Sequence, residues 1–151
     1  MGKEIEYKFL VDEARWSALE KPEPKLIVQS FLHNSVERIV RVRVKGNQGF
    51  LTIKGATKGV TRIEFEYEIP VAEAEEMIAT FRLPHIRKQR YEISVDQHIW
   101  EVDVFEGALA GLILAEVEVA VEGENFTVPD WVTEDVSTNP EYYNAVLIEK
   151  C

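Results

Sequence analysis

Charged and apolar residues alternate with a period of two along most of this chain, and no other feature constrains the fold as much. In the segment EIEYKF, Glu4, Glu6 and Lys8 alternate with three apolar residues. Successive side chains of a β-strand point to opposite faces of a sheet, so this segment has one charged face and one apolar face. The pattern predicts a mainly β protein built from amphipathic strands.

The alternation continues through the rest of the chain and predicts eight strands. After the first, the predicted strands are KLIVQSFLH, ERIVRVRVK, GFLTIKGA, TRIEFEYEI, IRKQRYEISV, HIWEVDVFEG and LILAEVEVAV. The sequence GNQG between the third and fourth predicts a hairpin. Helices are predicted over residues 12–20, where Asp12 is a favourable N-cap, and over 70–81, beginning at Pro70. We expect one or two short helical pieces in the tail.

Composition narrows the class of protein. With 151 residues the chain suits one domain, over 1–151. A net charge of −10 argues against general nucleic-acid binding, and the longest apolar run, ALAGLILA, is too short to cross a membrane. The sole cysteine, Cys151, leaves no disulfide within the chain and no cysteine-based metal site. Because the charged N-terminus lacks the apolar segment of a signal peptide, we expect a cytoplasmic protein.

The charges on the polar faces are grouped by sign. The third, fourth and sixth predicted strands are mainly basic, and the seventh and eighth are acidic. Like charges about 5 Å apart repel by roughly 1–3 kcal/mol per pair, so grouped carboxylates indicate a compensating cation and grouped bases a compensating anion. A polyphosphate chelated to a divalent metal supplies both.

Eight motifs in a fixed order resemble one family. They are EIEYK, VQSFL, RVRV, LTIK, TRIEFEYEIP, RKQRYEI, WEVDVFEGALAGLILAEVEV and DVSTNPEYYN. Together they cover almost the whole chain, which resembles the CYTH superfamily, the triphosphate tunnel metalloenzymes, and most of all its short bacterial inorganic triphosphatases. The resemblance implies a mainly β (α+β) fold: a closed eight-stranded antiparallel β-barrel that forms a charged tunnel, with a few helices packed outside.

The resemblance also implies roles for individual residues. The side chains expected to hold Mg²⁺ or Mn²⁺ are Glu4, Glu6, Asp103, Glu116 and Glu118. Those expected to bind the substrate are Lys8, Arg41, Arg43, Lys54, Arg62, Lys88 and Arg90. Catalytic roles are implied for Lys8, Lys54, Glu64 and Lys88, with Glu66 as the second acid of the fifth strand. Hard divalent cations prefer such oxygen ligands, whereas the three histidines are scattered without ligand spacing.

The activity implied by the resemblance is divalent-metal-dependent hydrolysis of inorganic triphosphate by water. No Ser-His-Asp or Cys-His arrangement is evident, which argues against a covalent intermediate. Four alternatives stay open: a class IV-type adenylate cyclase, a thiamine triphosphatase, a nucleoside triphosphatase, and a non-catalytic polyphosphate-binding protein. The chain departs from the family pattern at Glu141, where Arg commonly precedes the Tyr, and at Ser30 and Phe31, where Gly and Tyr are common. The reversed charge of Glu141 is expected to affect an ion pair or access to the tunnel.

A charged lumen requires the apolar strand faces to point outward. We therefore expect Val42, Val117, Phe65 and Tyr67 on the outside of the barrel. So much apolar surface is not expected to be left in water. The predicted helices are expected to cover much of it, and a homodimer could cover more.

Overall fold

The computed structural model describes residues 2–151 and shows ten strands in that range. The strands are β1 (Glu4–Val11), β2 (Lys25–Asn34), β3 (Arg38–Lys45), β4 (Gln48–Gly55), β5 (Thr61–Arg62), β6 (Glu64–Ile69), β7 (Ile86–Val95), β8 (His98–Phe105), β9 (Ile113–Glu118) and β10 (Val132–Asp135). The α-helices are α1 (Glu13–Ala18), α2 (Val71–Thr80) and α3 (Asn144–Leu147), and 3₁₀ turns occupy Gly107–Leu109, Pro140–Tyr142 and Ile148–Lys150.

The strands form an antiparallel sheet in the order β10-β1-β9-β8-β7-β2-β3-β4-β6. The mainly β prediction is confirmed. The predicted hairpin lies between β3 and β4, where Lys45 pairs with Gln48 across a two-residue turn. Gly46 has φ of 58° in this turn, a conformation that glycine adopts without steric cost.

The number of strands differs from the predicted eight for two reasons. The predicted fifth strand is interrupted at Ile63, so that β5 pairs with β1 whereas β6 pairs with β4. In addition, the tail contributes β10, which pairs with β1. Four residues of VTED are too few to produce a recognisable alternation, and their strand conformation depends on the partner that they find.

Two helices form close to the predicted positions. Asp12 caps α1 by accepting a hydrogen bond from the backbone N–H of Arg15 at 2.9 Å. The helix ends at Ala18, two residues earlier than predicted. Helix α2 begins directly after Pro70 and packs on β3 and β4. Its Ala74 lies against Gly49, where a Cβ atom would meet the carbonyl oxygen of Ile69 at 2.9 Å, so this approach requires glycine.

The apolar faces of the first and last strands of the chain pack into an outer core. Trp16 of α1 and Trp131 of the tail cover Trp100, Val102 and Val117, and the three covered residues are fully buried. Phe9, Ala115 and Val132 belong to the same cluster. The apolar strand faces that were predicted to point outward thus form a core between the sheet and the segments packed on it.

A second apolar cluster lies where the C-terminal segment meets the sheet. Leu147 and Ile148 pack there with a group of buried residues: Ile86, Phe105, Leu109 and Leu114. Leu10 and Phe31 contact the same cluster from β1 and β2. Packing of the last residues of the chain against several strands fixes the C-terminal segment on the sheet.

The apolar face of β6 and its neighbour β4 is not covered. Phe65 and Tyr67 are 46% and 57% exposed, and Ile53 and Ile63 are also exposed. The helices thus cover only part of the outer face, because α2 packs on β3 and β4 and leaves this part of the sheet exposed.

Across residues 2–151, every helix falls short of the length and apolar character that a membrane span requires.

Candidate functional site

Antiparallel pairing brings the charged faces of the strands around one cavity of about 240 Å³. The alternation places residues two apart on the same face, and the register sets charged side chains of neighbouring strands side by side. The predicted site residues that line the cavity are Glu4, Glu6, Lys8, Arg41, Arg43, Lys54, Arg62, Glu64, Lys88, Arg90, Glu116 and Glu118. Asp103 is the predicted site residue that does not line it.

Glu4 lies at the centre of an ion-pair cluster where β1, β4 and β5 meet. Its carboxylate lies 3.2 Å from Lys54 Nζ and 3.3 Å from Arg62 Nε. Lys54 Nζ also lies 3.0 Å from the carboxylate of Glu64. Burial opposes the ionisation of Glu4, but Lys54 and Arg62 outweigh burial and lower its pKa to about 2. Glu4 is therefore a carboxylate at neutral pH.

The carboxyl groups of Glu6 and Glu116 are crowded together. Burial and the negative charges of Glu116 and Glu4 raise the pKa of Glu6 well above its ordinary value. Glu6 donates a hydrogen bond to Glu116, whose own pKa is lowered because Lys8 and this hydrogen bond outweigh its burial. Burial and nearby carboxylates also raise the pKa of Glu118, the register partner of Glu6 on β9. Carboxyl groups thus crowd this side of the cavity, where Lys8 Nζ lies 3.8 Å from the carboxylate of Glu116.

Arg41 and Arg43 present buried positive charge on β3. Arg43 has no carboxylate within ion-pair distance in residues 2–151 and donates instead to Gln29 Oε1 at 2.8 and 2.5 Å. Burial and repulsion from Arg41 and Arg90 lower the pKa of Arg43 to about 9. The Nε of Arg41 is buried without a hydrogen-bond partner in the described chain. Buried cationic donors with incomplete pairing are suited to an anionic ligand.

Lys88 and Arg90 are held by Asp103. Lys88 Nζ lies 2.7 Å from Asp103 Oδ2, and Arg90 donates to both carboxylate oxygens at 2.8 Å. Burial raises the pKa of Asp103, but Arg90 and Lys88 outweigh it and lower the pKa. Burial lowers the pKa of Lys88 to about 7 despite the neighbouring Asp103. Since Asp103 does not line the cavity and both of its oxygens are held by bases, this geometry favours a positioning role over metal binding.

The carboxylates around Glu6 have the chemistry to hold a hard divalent cation. No three of the Asp, Glu, His or Cys side chains described in residues 2–151 converge into a ready-made metal shell. Magnesium-type sites do not require such a shell, because the ion usually keeps several waters and uses one or two carboxylates plus substrate phosphates. Burial and the charge of Glu116 disfavour the ionised form of Glu6, and a divalent cation beside the two carboxyl groups would favour it.

Sequence reasoning missed several residues that line the cavity. Gln29 is fully buried beside it, and Tyr143, Asn144 and Ala145 of the C-terminal segment lie in its wall. Lys8 Nζ donates to the carbonyl oxygen of Tyr142 at 3.1 Å. The motif DVSTNPEYYN marked this segment as part of the resemblance, but nothing in its spacing indicated that it turns into the cavity.

The three residues that depart from the family pattern, Glu141, Ser30 and Phe31, lie in different surroundings. Glu141 is exposed and does not line the cavity. Phe31 lines the cavity, and the buried hydroxyl of Ser30 donates to the carbonyl oxygen of Pro84. The structure gives Glu141 no side-chain ion pair in the described range, so its effect on the cavity stays a prediction.

Known proteins share this sequence and fold over nearly their whole length. An inorganic triphosphatase of Acetivibrio thermocellus is 41% identical over 150 residues, covering 99% of this chain and 95% of the relative. An inorganic triphosphatase of Nitrosomonas europaea is 32% identical over 148 residues, covering 95% of each. A crystal structure of an inorganic triphosphatase is 29% identical, with a TM-score of 0.66, covering 96% of this chain and 93% of that chain.

The family resemblance drawn from the sequence is confirmed. The model of the CYTH domain matches residues 2–147, and the two relatives extend the likeness across nearly the full chain. The chain belongs to the CYTH domain family.

Proposed function

We propose that this protein is a divalent-metal-dependent hydrolase of inorganic triphosphate. The observation that carries the proposal is the division of one cavity into a crowded carboxylate side and a buried basic side. Two relatives more than 30% identical are named inorganic triphosphatases, which supports the same substrate. The proposal places the activity in one domain over 1–151 in the cytoplasm, with no nucleic-acid or membrane partner.

The basic side chains would bind the phosphate oxygens. Arg43 and Arg41 have donors that the described protein leaves for a ligand, and guanidinium groups can hold phosphates through two parallel hydrogen bonds. Substrate binding is proposed for the full predicted basic set: Lys8, Arg41, Arg43, Lys54, Arg62, Lys88 and Arg90. Catalytic contributions are proposed for Lys8, Lys54, Glu64 and Lys88, which lie in the same cavity. Phosphoryl transfer depends on positioning and charge neutralisation, which such a set supplies.

The carboxylates would hold the metal. Glu4, Glu6, Glu116 and Glu118 are proposed as ligands of Mg²⁺ or Mn²⁺, and Asp103, the fifth predicted ligand, is proposed to orient Lys88 and Arg90 instead. A bound divalent cation would draw charge from phosphate oxygens and acidify a water. The chain's own bases would fix the triphosphate, and its carboxylates would orient the attacking water.

We also propose that the sheet closes into a barrel around the cavity. β5 and β6 are separated by one residue, yet β5 pairs with β1 and β6 pairs with β4, near opposite ends of the strand order. The backbone N–H of Glu64 donates to the carbonyl oxygen of Gly2 at 3.2 Å at the same junction. Counting β5 and β6 as one bent strand, and β10 as an addition to β1, gives the eight strands of the proposed barrel.

A homodimer is proposed as the cover of the exposed apolar face. Ile53, Ile63, Phe65 and Tyr67 form that face on β4 and β6. Sedimentation of the purified protein tests this proposal, since a Phe65→Ser variant should be monomeric if the face forms the contact. A wild-type protein that sediments as a monomer would contradict it.

Phosphate release from inorganic triphosphate tests the proposed activity. We expect release with Mg²⁺ or Mn²⁺ and none in excess EDTA. Parallel assays with ATP and thiamine triphosphate, and a search for cyclic AMP from ATP, separate the other enzyme activities. Tight triphosphate binding without turnover would identify a binding protein instead, and full turnover in EDTA would exclude a metal role.

The crowded carboxylates predict a thermal response to metal. Adding Mg²⁺ or Mn²⁺ is expected to raise the melting temperature of the wild-type protein, because the cation neutralises Glu6 and Glu116. Glu6→Gln replaces a carboxyl group that can bind a cation with an amide that cannot, so this variant should gain less from metal. Each kcal/mol of relieved repulsion corresponds to about 2–4 °C in a domain of this size.

Glu141→Gln is the matched control for this experiment. It makes the same chemical change at an exposed position outside the cavity. Its metal response should equal that of the wild type. An equal loss of response in both variants would mean that the metal binds outside the proposed site.

A further inference from the structure

A chain of buried and partly buried hydrogen bonds joins the C-terminal segment to the basic side of the cavity. Asn144 Oδ1 accepts from Lys88 Nζ at 3.0 Å and from Gln29 Nε2 at 3.1 Å. Gln29 Oε1 in turn accepts from Arg43 at 2.8 and 2.5 Å. Lys88 continues the chain to Asp103, which also holds Arg90. One amide of the tail thus contacts the network that connects the buried bases of β3 and β7.

The donors and acceptors of this network fit in one arrangement. Lysine and arginine side chains only donate, so each end of the chain must meet an oxygen. An oxygen of Asn144 facing Lys88 leaves the nitrogen of Gln29 to donate to it, and the oxygen of Gln29 is then left for Arg43. The orientations of both amides are therefore fixed by the two charged ends.

A neutral acceptor also preserves the charge of the base that it holds. Lys88 already pairs with Asp103 at 2.7 Å. A second carboxylate at the position of Asn144 would oppose an anionic ligand, whereas an amide oxygen restrains the ammonium group without adding negative charge. The same holds for Gln29 and Arg43. Both amides contact cavity-lining bases without supplying a counter-charge.

We infer that Asn144 is a positioning residue that, together with Gln29, holds Lys88 and Arg43 in place for an anionic substrate. The inference rests on the proposed function, in that the substrate is a triphosphate. The segment that carries Asn144 is anchored independently, since Leu147 and Ile148 pack in the second apolar cluster and Asn34 Nδ2 donates to the carbonyl oxygen of Ala145 at 2.8 Å.

Kinetics of Asn144→Ala test the inference. Loss of a hydrogen bond to a charged group is expected to raise KM for triphosphate about ten- to thirtyfold and to change kcat by less than about threefold. Partial unfolding would instead lower kcat at constant KM, because it reduces the active fraction. Calorimetry with inorganic triphosphate in EDTA should show the same loss of affinity without turnover.

Asn34→Ala is the matched control because it removes a different asparagine hydrogen bond to the same segment. Its KM and Kd should stay within about twofold of the wild-type values, since Asn34 contacts no base of the cavity. An equal rise in both variants would overturn the inference, as it would assign the effect to docking of the segment. An unchanged KM and Kd in Asn144→Ala would overturn it directly.

A double-mutant cycle with Gln29→Met tests whether the two amides act together. Methionine keeps the side-chain length and removes both amide groups. The double variant should lose much less affinity than the product of the two single losses, because contacting members of one network are not additive. Additive losses would contradict the network.

The outcomes for the two proposals are distinguishable. A wild-type protein that binds triphosphate without hydrolysing it refutes the hydrolase, and the Kd values of the variants still decide the role of Asn144. A wild-type protein that binds no triphosphate refutes both.

Discussion

Replacing Arg43 with alanine is expected to lower kcat/KM for triphosphate by about ten- to thousandfold while the protein stays folded. Loss of a charge-assisted hydrogen bond accounts for about ten- to a hundredfold, and misplacement of the substrate for the rest. The structure motivates this choice because Arg43 is buried without a carboxylate partner in the described chain. Arg41→Ala is expected to act in the same direction. Steady-state phosphate release gives kcat and KM for each variant.

The stability of the variant and a matched control at Arg87 separate loss of substrate binding from loss of structure. Because burial and neighbouring arginines lower the pKa of Arg43 to about 9, its charge opposes folding at neutral pH, and the variant should melt no lower than the wild type. Arg87 is the control, since it lies on the same sheet, is exposed and pairs with Glu106 at 2.9 Å outside the cavity. Unchanged kinetics in both Arg41→Ala and Arg43→Ala would mean that the basic face does not bind substrate.

Replacing Val117 with aspartate is expected to destabilise the protein by about 3–5 kcal/mol, because it leaves an unpaired charge in an apolar core. Val117 is fully buried in the outer core with Trp100 and Phe9. A loss of this size is a large part of the stability of an ordinary domain. Denaturant unfolding without ligand measures it, provided that the slope of the transition is unchanged.

The next residue along the chain is the control for Val117. Glu118 points to the opposite face of β9, toward the cavity, and burial together with nearby carboxylates raises its pKa. Glu118→Gln should therefore cost little stability, and should raise it to the extent that repulsion is relieved. If Glu118→Gln unfolds the protein while Val117→Asp melts normally, the assignment of the two faces is reversed.

The period of two predicted most of the strands and their charged faces, and the family resemblance implied which charged residues form the site. The period could not predict the register between strands, which depends on pairing across the fold. Asp103 illustrates the difference. The alternation places it on the same face as Glu101, but the register sets it opposite Arg90, where it binds bases.

The position of the C-terminal segment on the sheet was even less predictable from the sequence. Asn144 and Gln29 are uncharged and lie in segments with no regular charge pattern, so neither was distinguishable from an ordinary polar residue. Their roles arise when the tail packs on Ile86 and Leu114, which are remote in the chain. The sequence placed Phe65 on the outer face but could not show that α2 leaves it exposed, since helical periodicity locates α2 along the chain and not on the sheet.

The pairing of β1 has a consequence for the order in which the protein can be assembled. β1 precedes its partners along the chain, and these partners, β5, β9 and β10, begin at residues 61, 113 and 132. Such distant contacts form slowly, because long loops must close before the contacts can stabilise them. Glu4 and Glu6 therefore meet Glu116 and Glu118 only after most of the chain has left the ribosome. A nascent chain that ends before β9 has only the β1 half of the acidic side, so the complete carboxylate cluster forms only when β1 and β9 have paired.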